Sequence, residues 1–233
     1  MRTRRFDAAT YAHRRWGPGM ILHRAREVLR TEGPRALWFR VLGETVYRRV
    51  IVMERPFGAA VPEASRAGLE LGVLQPDELA EYYALRPDAG AGAGEIESRF
   101  ARGHVCFVAR REGRLIGACW AGIGRTWLDY LEIWIDLSPG VGYLYDLYVV
   151  PEERGLRIHA SLFDRMDEHY AGTAAARVVI SAFNPETRTH RLFARMGCTY
   201  ATRLRAVRLG RWRWAFCRFE EERLFSVQRL QRS

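Results

Sequence analysis

The stretch Tyr143–Phe163, YLYDLYVVPEERGLRIHASLF, decides the fold, because it joins an apolar strand, a proline-bounded turn, an Arg-Gly loop and a helix start. Tyr145, Leu147 and Val149 alternate with Asp146, Tyr148 and Val150. β-Branched and aromatic residues suit a pleated surface, so the segment predicts a strand ending at Pro151. From Ile158 onward, Leu162, Met166 and Tyr170 recur at four-residue spacing and predict a helix with one apolar stripe. The intervening Arg154-Gly155-Leu156-Arg157 supplies a tight turn, and the first amides of a helix have no partner within it. Those donors and the positive end of the helix dipole together favour a phosphate group.

This strand, the Val-x-Pro-x-x-Arg-Gly junction and the helix resemble the cofactor-binding motif of the GNAT superfamily of acyl-CoA-dependent N-acyltransferases. Downstream, Arg177 to Ala182 reads as the next strand, and Asn184 opens a polar loop. The segment from Thr187 to Met196, ahead of Gly197-Cys198, is similar to that family's Asn-loop-helix-Leu-Gly-Phe segment. The resemblance covers roughly residues 69 to 219 and implies an α/β fold with a mixed sheet. It further implies that main-chain amides of Leu147, Tyr148 and Val149 pair with the pantetheine arm of acetyl-CoA or another acyl-CoA. Arg154, Gly155, Leu156, Arg157, Ile158 and His159 would hold the pyrophosphate, with Asn184 beside them. Asp146 stands where family members often carry the carboxylate that takes the amine proton, and is the candidate catalytic base. In the family pattern Arg/Gln-x-x-Gly-x-Gly/Ala, Arg154 fits, whereas Arg157 and His159 replace small residues. Phe193 stands where many members carry a tyrosine that protonates the leaving thiolate; His190 and Tyr200 are the alternative proton donors.

A chain of 233 residues with 48% hydrophobic content can bury one sizeable core and carry an extension. Cys106, Cys119, Cys198 and Cys217 are scattered without CxxC spacing, which argues against a zinc site or a disulfide framework and for a reducing cytoplasm. No run of 18 apolar residues occurs, and the N-terminus lacks the apolar stretch of an export signal. The expectation is a cytoplasmic protein that could sit peripherally at the inner membrane surface.

Charge is concentrated at the front. Residues 1 to 55 hold 13 arginines against five acidic residues, a difference of +8 out of a formal net charge of +10. Two helices are predicted there, from Pro18 to Thr31 and from Pro34 to Glu54, split at Gly33-Pro34. The second is amphipathic, with Leu37, Val41, Leu42, Val46 and Ile51 among arginines. Such a face could dock on the domain itself, contact a membrane through residues 18–54, or meet an acidic carrier protein. Arginines with interleaved aromatics also raise nucleic acid as a partner, but no helix-turn-helix, zinc-finger or RNP motif accompanies them, which argues against it.

The division expected is therefore a basic helical extension over 1–56, a linker over 57–68, a GNAT-like acyltransferase domain over 69–219 and a tail over 220–233. Within the domain, strands are predicted at Leu69–Leu74, His104–Arg110, Leu115–Gly122 and Trp127–Leu137, and helices from Pro76 to Leu85 and from Glu95 to Ala101. A hairpin of Tyr200–Leu209 and Trp212–Glu220 follows. Glu132 and Asp136 would share one strand face, where they could recognise a cationic amine or simply solvate the strand. The reaction implied is acyl transfer to a primary amine of a small molecule, sugar or peptide by direct attack in a ternary complex. The alternative is a binding module of the same fold with impaired catalysis.

Overall fold

Ten residues of the arginine-rich front region, Tyr47–Pro56, form strand β1, which corrects the helix expected to run on to Glu54. The computed structural model describes residues 34, 46–59, 68–87, 95–171, 173, 178–183, 189–209, 212–216, 223–227 and 230–232. The first proposed helix, and the second up to residue 45 apart from Pro34, lie outside these. The run Val50-Ile51-Val52 explains the correction. β-Branched side chains favour a pleated backbone, and here the chain enters a slot with a strand on either side. Val50 and Val52 are buried on one face of β1, and Met53 on the other.

Strands β2 (Glu70–Val73), β3 (Val105–Arg111), β4 (Arg114–Ile123), β7 (Val141–Val149), β8 (Val178–Phe183), β9 (Thr199–Leu209), β10 (Trp212–Phe216) and β12 (Leu230–Arg232) complete a mixed sheet with β1. Its order is β12-β10-β9-β1-β8-β7-β4-β3-β2. Every described pairing in it is antiparallel except β7 with β8. The expected strand Trp127–Leu137 is instead a hairpin of β5 (Arg125–Leu128) and β6 (Ile133–Leu137), with Trp127 opposite Trp134 and Glu132 in the turn at φ 54°. β11 (Phe225–Ser226) adds to β6, so the expected tail supplies strands to both sheets.

Helix α2 (Glu95–Ala101) matches its predicted span; the one predicted from Pro76 opens with a 3-10 turn at Pro76–Glu78 and continues as α1 (Leu79–Leu85), and α3 (Ile158–Tyr170) and α4 (Thr189–Arg195) follow in the expected place and order. On one face of the main sheet, α3 and α4 bury Ile158, Leu162, Phe163, Met166 and Phe193 against Phe107, Ile116 and Leu144. The opposite face is shared. Helices α1 and α2 cover Trp120 and Val108, while the small sheet covers Val50, Leu204 and Ile180. Phe57, expected in a linker, packs its ring 5.4 Å from that of Tyr170. The neighbouring Arg55 is fully buried and pairs with Asp167 on α3, tying β1 to the helix.

Candidate active site

The central feature is a break in the pairing of β7. Trp120 lies opposite Tyr145 but Ala118 lies opposite Tyr148, so β7 carries one extra residue there. Asp146 occupies the bulge at φ 52°, a left-handed conformation that a short polar side chain tolerates better than an apolar one. On the other side, β7 pairs with β8 only from Val141↔Val178 to Tyr143↔Ile180. Beyond Tyr143 the two parallel strands part company while β7 runs on to Val149. Leu147 and Val149 pack toward the α3 side of the sheet, and Tyr148 toward α1. The Val150 amide donates to Ile116 O on β4 at 2.9 Å, so strand alternation turns the Val149 amide and carbonyl the other way, toward the gap. That carbonyl accepts from Arg154 Nε at 3.1 Å.

The loop from Arg154 leads directly into α3. Gly155, at φ 92°, has open space where a side chain would stand. Arg157 sits at the N-cap at φ 59°, and the helix begins without a side-chain cap. Arg157 stands where the resembled pattern has a small residue, and a left-handed backbone on an arginine costs roughly 1–2 kcal/mol. Ile158 and Ala160 anchor the first turn. A Cβ added at Gly117 on β4 would lie 3.2 Å from Ile158 Cγ2, which measures how closely the helix start sits on the sheet. Arg154 and His159 are half-buried, while Leu156 and the Arg157 side chain are exposed beside the loop. An uncapped start on a 13-residue helix, next to open backbone, fits a pyrophosphate.

Under the bulge, the Asp146 carboxylate is clamped. It accepts from Arg86 Nη1 at 2.6 Å, from Arg99 Nη1 at 2.7 Å and from the Tyr82 hydroxyl at 3.2 Å. Trp120 Nε1 in turn donates to Tyr82 at 3.0 Å, and the Arg99 guanidinium lies over the rings of Tyr145 and Trp120. Burial pushes the Asp146 carboxyl up, but the charges and hydrogen bonds of Arg86 and Arg99 outweigh it and hold it below the usual carboxylate range. A carboxylate so held is a weak proton acceptor. Alongside, His104 Nδ1 and the Tyr145 hydroxyl are 2.6 Å apart. Burial first, then the charges of Arg102 and Arg99, lower the His104 imidazole to about 4, so it is neutral near pH 7.

The sequence model of the acetyltransferase (GNAT) family matches residues 73–198, more than half of the chain. The chain belongs to the GNAT family. It is an N-acetyltransferase-like enzyme of a family that uses coenzyme A thioesters. No curated protein matches the sequence. Among solved structures, a functionally unknown conserved protein from Staphylococcus epidermidis is similar at 12% identity, over 80% of this chain and 78% of that one, with a TM-score of 0.51. A tandem GNAT protein from the clavulanic acid biosynthesis pathway is similar at 19% identity over 73% of this chain, with a TM-score of 0.50. This chain spans 56% of that tandem protein.

In this GNAT fold, Leu147, Tyr148 and Val149 come together with the 154–159 loop at one end of the parallel strand pair, as their order in the sequence suggests. Asn184 lies outside the described residues. Phe193 is buried with its ring 5.2 Å from Phe163, inside the core between α3 and α4. His190 is half-buried on α4, and Tyr200, 59% exposed, starts β9, which β1 and β8 separate from β7. Glu132 pairs with Arg48 and Arg208, and Asp136 is half-exposed near Arg125, so these two do not form one acidic strand face. Sequence reasoning missed Arg86, Arg99, Tyr82 and His104. One signal was available: Arg99 falls three residues after Ile96 on the buried stripe of α2, a place where an arginine needs a partner.

Proposed function

We propose that this GNAT enzyme moves an acyl group, acetyl in the simplest case, from coenzyme A to a primary amine of a small molecule, sugar or peptide. Transfer occurs by direct attack within a ternary complex. The reading is carried by one observation: β7 and β8 separate after Tyr143, at the bulge of Asp146 and beside the uncapped start of α3.

In this reading the 154–159 loop and the first turn of α3 hold the pyrophosphate, with Arg157 adding a charge at its exposed edge and Asn184 flanking the site. The Val149 amide and its neighbours Leu147 and Tyr148 align the pantetheine arm along the gap. When bound, the thioester supplies an activated acyl carbon. The amine nitrogen bonds to that carbon, the carbon–sulfur bond breaks, the amine gives up a proton to solvent and the sulfur takes one up. Asp146 enters as a positioning residue that keeps the bulge open through Arg86 and Arg99, because both of its oxygens are engaged and its basicity is low. Prealigned main-chain donors and proximity then provide most of the rate enhancement.

The test is calorimetry and thermal shift with acetyl-CoA and longer acyl-CoA thioesters, followed by an amine panel read by thiol release. Stabilisation by acetyl-CoA and turnover on an amine are expected. Absence of binding at millimolar acyl-CoA would overturn the proposal. Tight binding without turnover on any amine would favour the second reading, a GNAT-fold binding module. Arg157 in the glycine position and the buried Phe193 motivate that reading.

A further inference from the structure

The face of the main sheet that carries α3 and α4 continues past α4 onto β1, β9 and β10. There, residues in register across strands share a face. Tyr47 lies opposite Val207, which lies opposite Trp214; Arg49 lies opposite Arg205, which lies opposite Phe216; and Ile51 lies opposite Arg203. The alternate residues Val50, Leu204, Ala206 and Ala215 are buried on the other face beneath the small sheet. Their counterparts here are not. Tyr47 is 39% exposed, Trp212 36% and Phe216 53%, and Arg49, Arg203 and Arg205 are exposed. Arginines and aromatic rings thus alternate on an open surface, and no acidic residue of β1, β9 or β10 falls in these rows.

We propose that this surface docks on an anionic lipid bilayer. The guanidiniums would reach lipid phosphates while Tyr47, Trp212 and Phe216 lie at the headgroup level, where amphipathic and aromatic rings are favoured. Charge complementarity selects an anionic partner. Rings beside the charges select one with an apolar layer below. The sequence leading into Tyr47 carries the same pairing, with Leu37, Trp38, Val41 and Leu42 among Arg35 and Arg40. Ile51 pairs with Phe183 at the end of β8, so Tyr47 and Arg49 project beyond that end, where the gap beside β7 opens. Docking would bring the mouth of the gap to the lipid surface.

The experiment is co-sedimentation of the full chain with vesicles of phosphatidylcholine alone and of an equimolar mixture with phosphatidylglycerol. Binding to the mixed vesicles that weakens with salt is expected. Charge reversal in the double variant Arg203→Glu, Arg205→Glu should reduce it at least about tenfold, since each basic residue near such a surface contributes measurably. Trp212→Ser with Phe216→Ser should also weaken it, while acetyl-CoA thermal shifts stay as in the parent. Retention of parental binding by both double variants would overturn the proposal. So would equal binding to phosphatidylcholine alone, or variant-sensitive binding to a single-stranded oligonucleotide without vesicle binding.

Discussion

Arg99 and Asp146 meet at 2.7 Å beneath the bulge of β7, joining helix α2 to a strand residue that has a left-handed backbone. The side chains are 8% and 17% exposed, so the pair is largely out of water, and Arg86 completes it from the end of α1. Two helices that are far from the bulge in sequence therefore set its shape.

Arg99→Met should destabilise the fold by roughly 3 kcal/mol, because removing one member of a buried ionic cluster strands charge. The Asp146 carboxyl is held below the usual carboxylate range in the folded state, so its contribution is complete above that range and is lost as pH falls through the lower folded value. In Arg99→Met the folded value moves back toward the unfolded one, so this acid-dependent loss should shrink. Urea denaturation across an acid series measures both effects; identical acid limbs in the two proteins would refute the clamp.

Asp146→Asn separates positioning from proton transfer. A positioning role predicts weaker acyl-CoA binding and an unchanged pH profile of kcat/KM. Loss of the acid limb of that profile, with binding intact, would return Asp146 to the role of base.

His104 makes a second, independent pH prediction. Its imidazole stays neutral in the fold down to about 4, whereas in the unfolded chain it protonates near 6.5, so between those values the unfolded state holds the extra proton. Stability should fall as pH drops through that window, by up to about 3 kcal/mol. The substitution His104→Phe should flatten this part of the stability curve while lowering the plateau, through loss of the bond to Tyr145. Thermal melts from pH 7 to pH 4 decide it; a parental slope in the variant would assign the effect elsewhere.

Phe193→Tyr restores in sequence the residue that many family members carry here. With 2% exposure and a ring neighbour at 5.2 Å, the added hydroxyl would enter the apolar core, costing about 1–3 kcal/mol. Lower stability with no gain in acyl transfer is expected; a rate increase would show that position 193 reaches the thiol.

The strand, loop and helix around Pro151 were legible because their signals are local: alternation, a proline boundary, a glycine turn and an apolar stripe all lie within 21 residues. The same holds for α1 and α2. What failed were readings in which a segment's state depends on its neighbours. Val50-Ile51-Val52 sits in an amphipathic, arginine-rich run, and only the slot between β8 and β9 makes it a strand. Trp127–Leu137 reads as one strand until the left-handed turn at Glu132 folds it back on itself.

The chain by itself determined the acyl-CoA family and the place where main-chain donors gather, since backbone geometry follows from short-range preference. Only the tertiary structure decided the surroundings of the Asp146 carboxylate. Its partners Arg86 and Arg99 arrive from 60 and 47 residues away, and their charges and hydrogen bonds keep the buried carboxylate ionised.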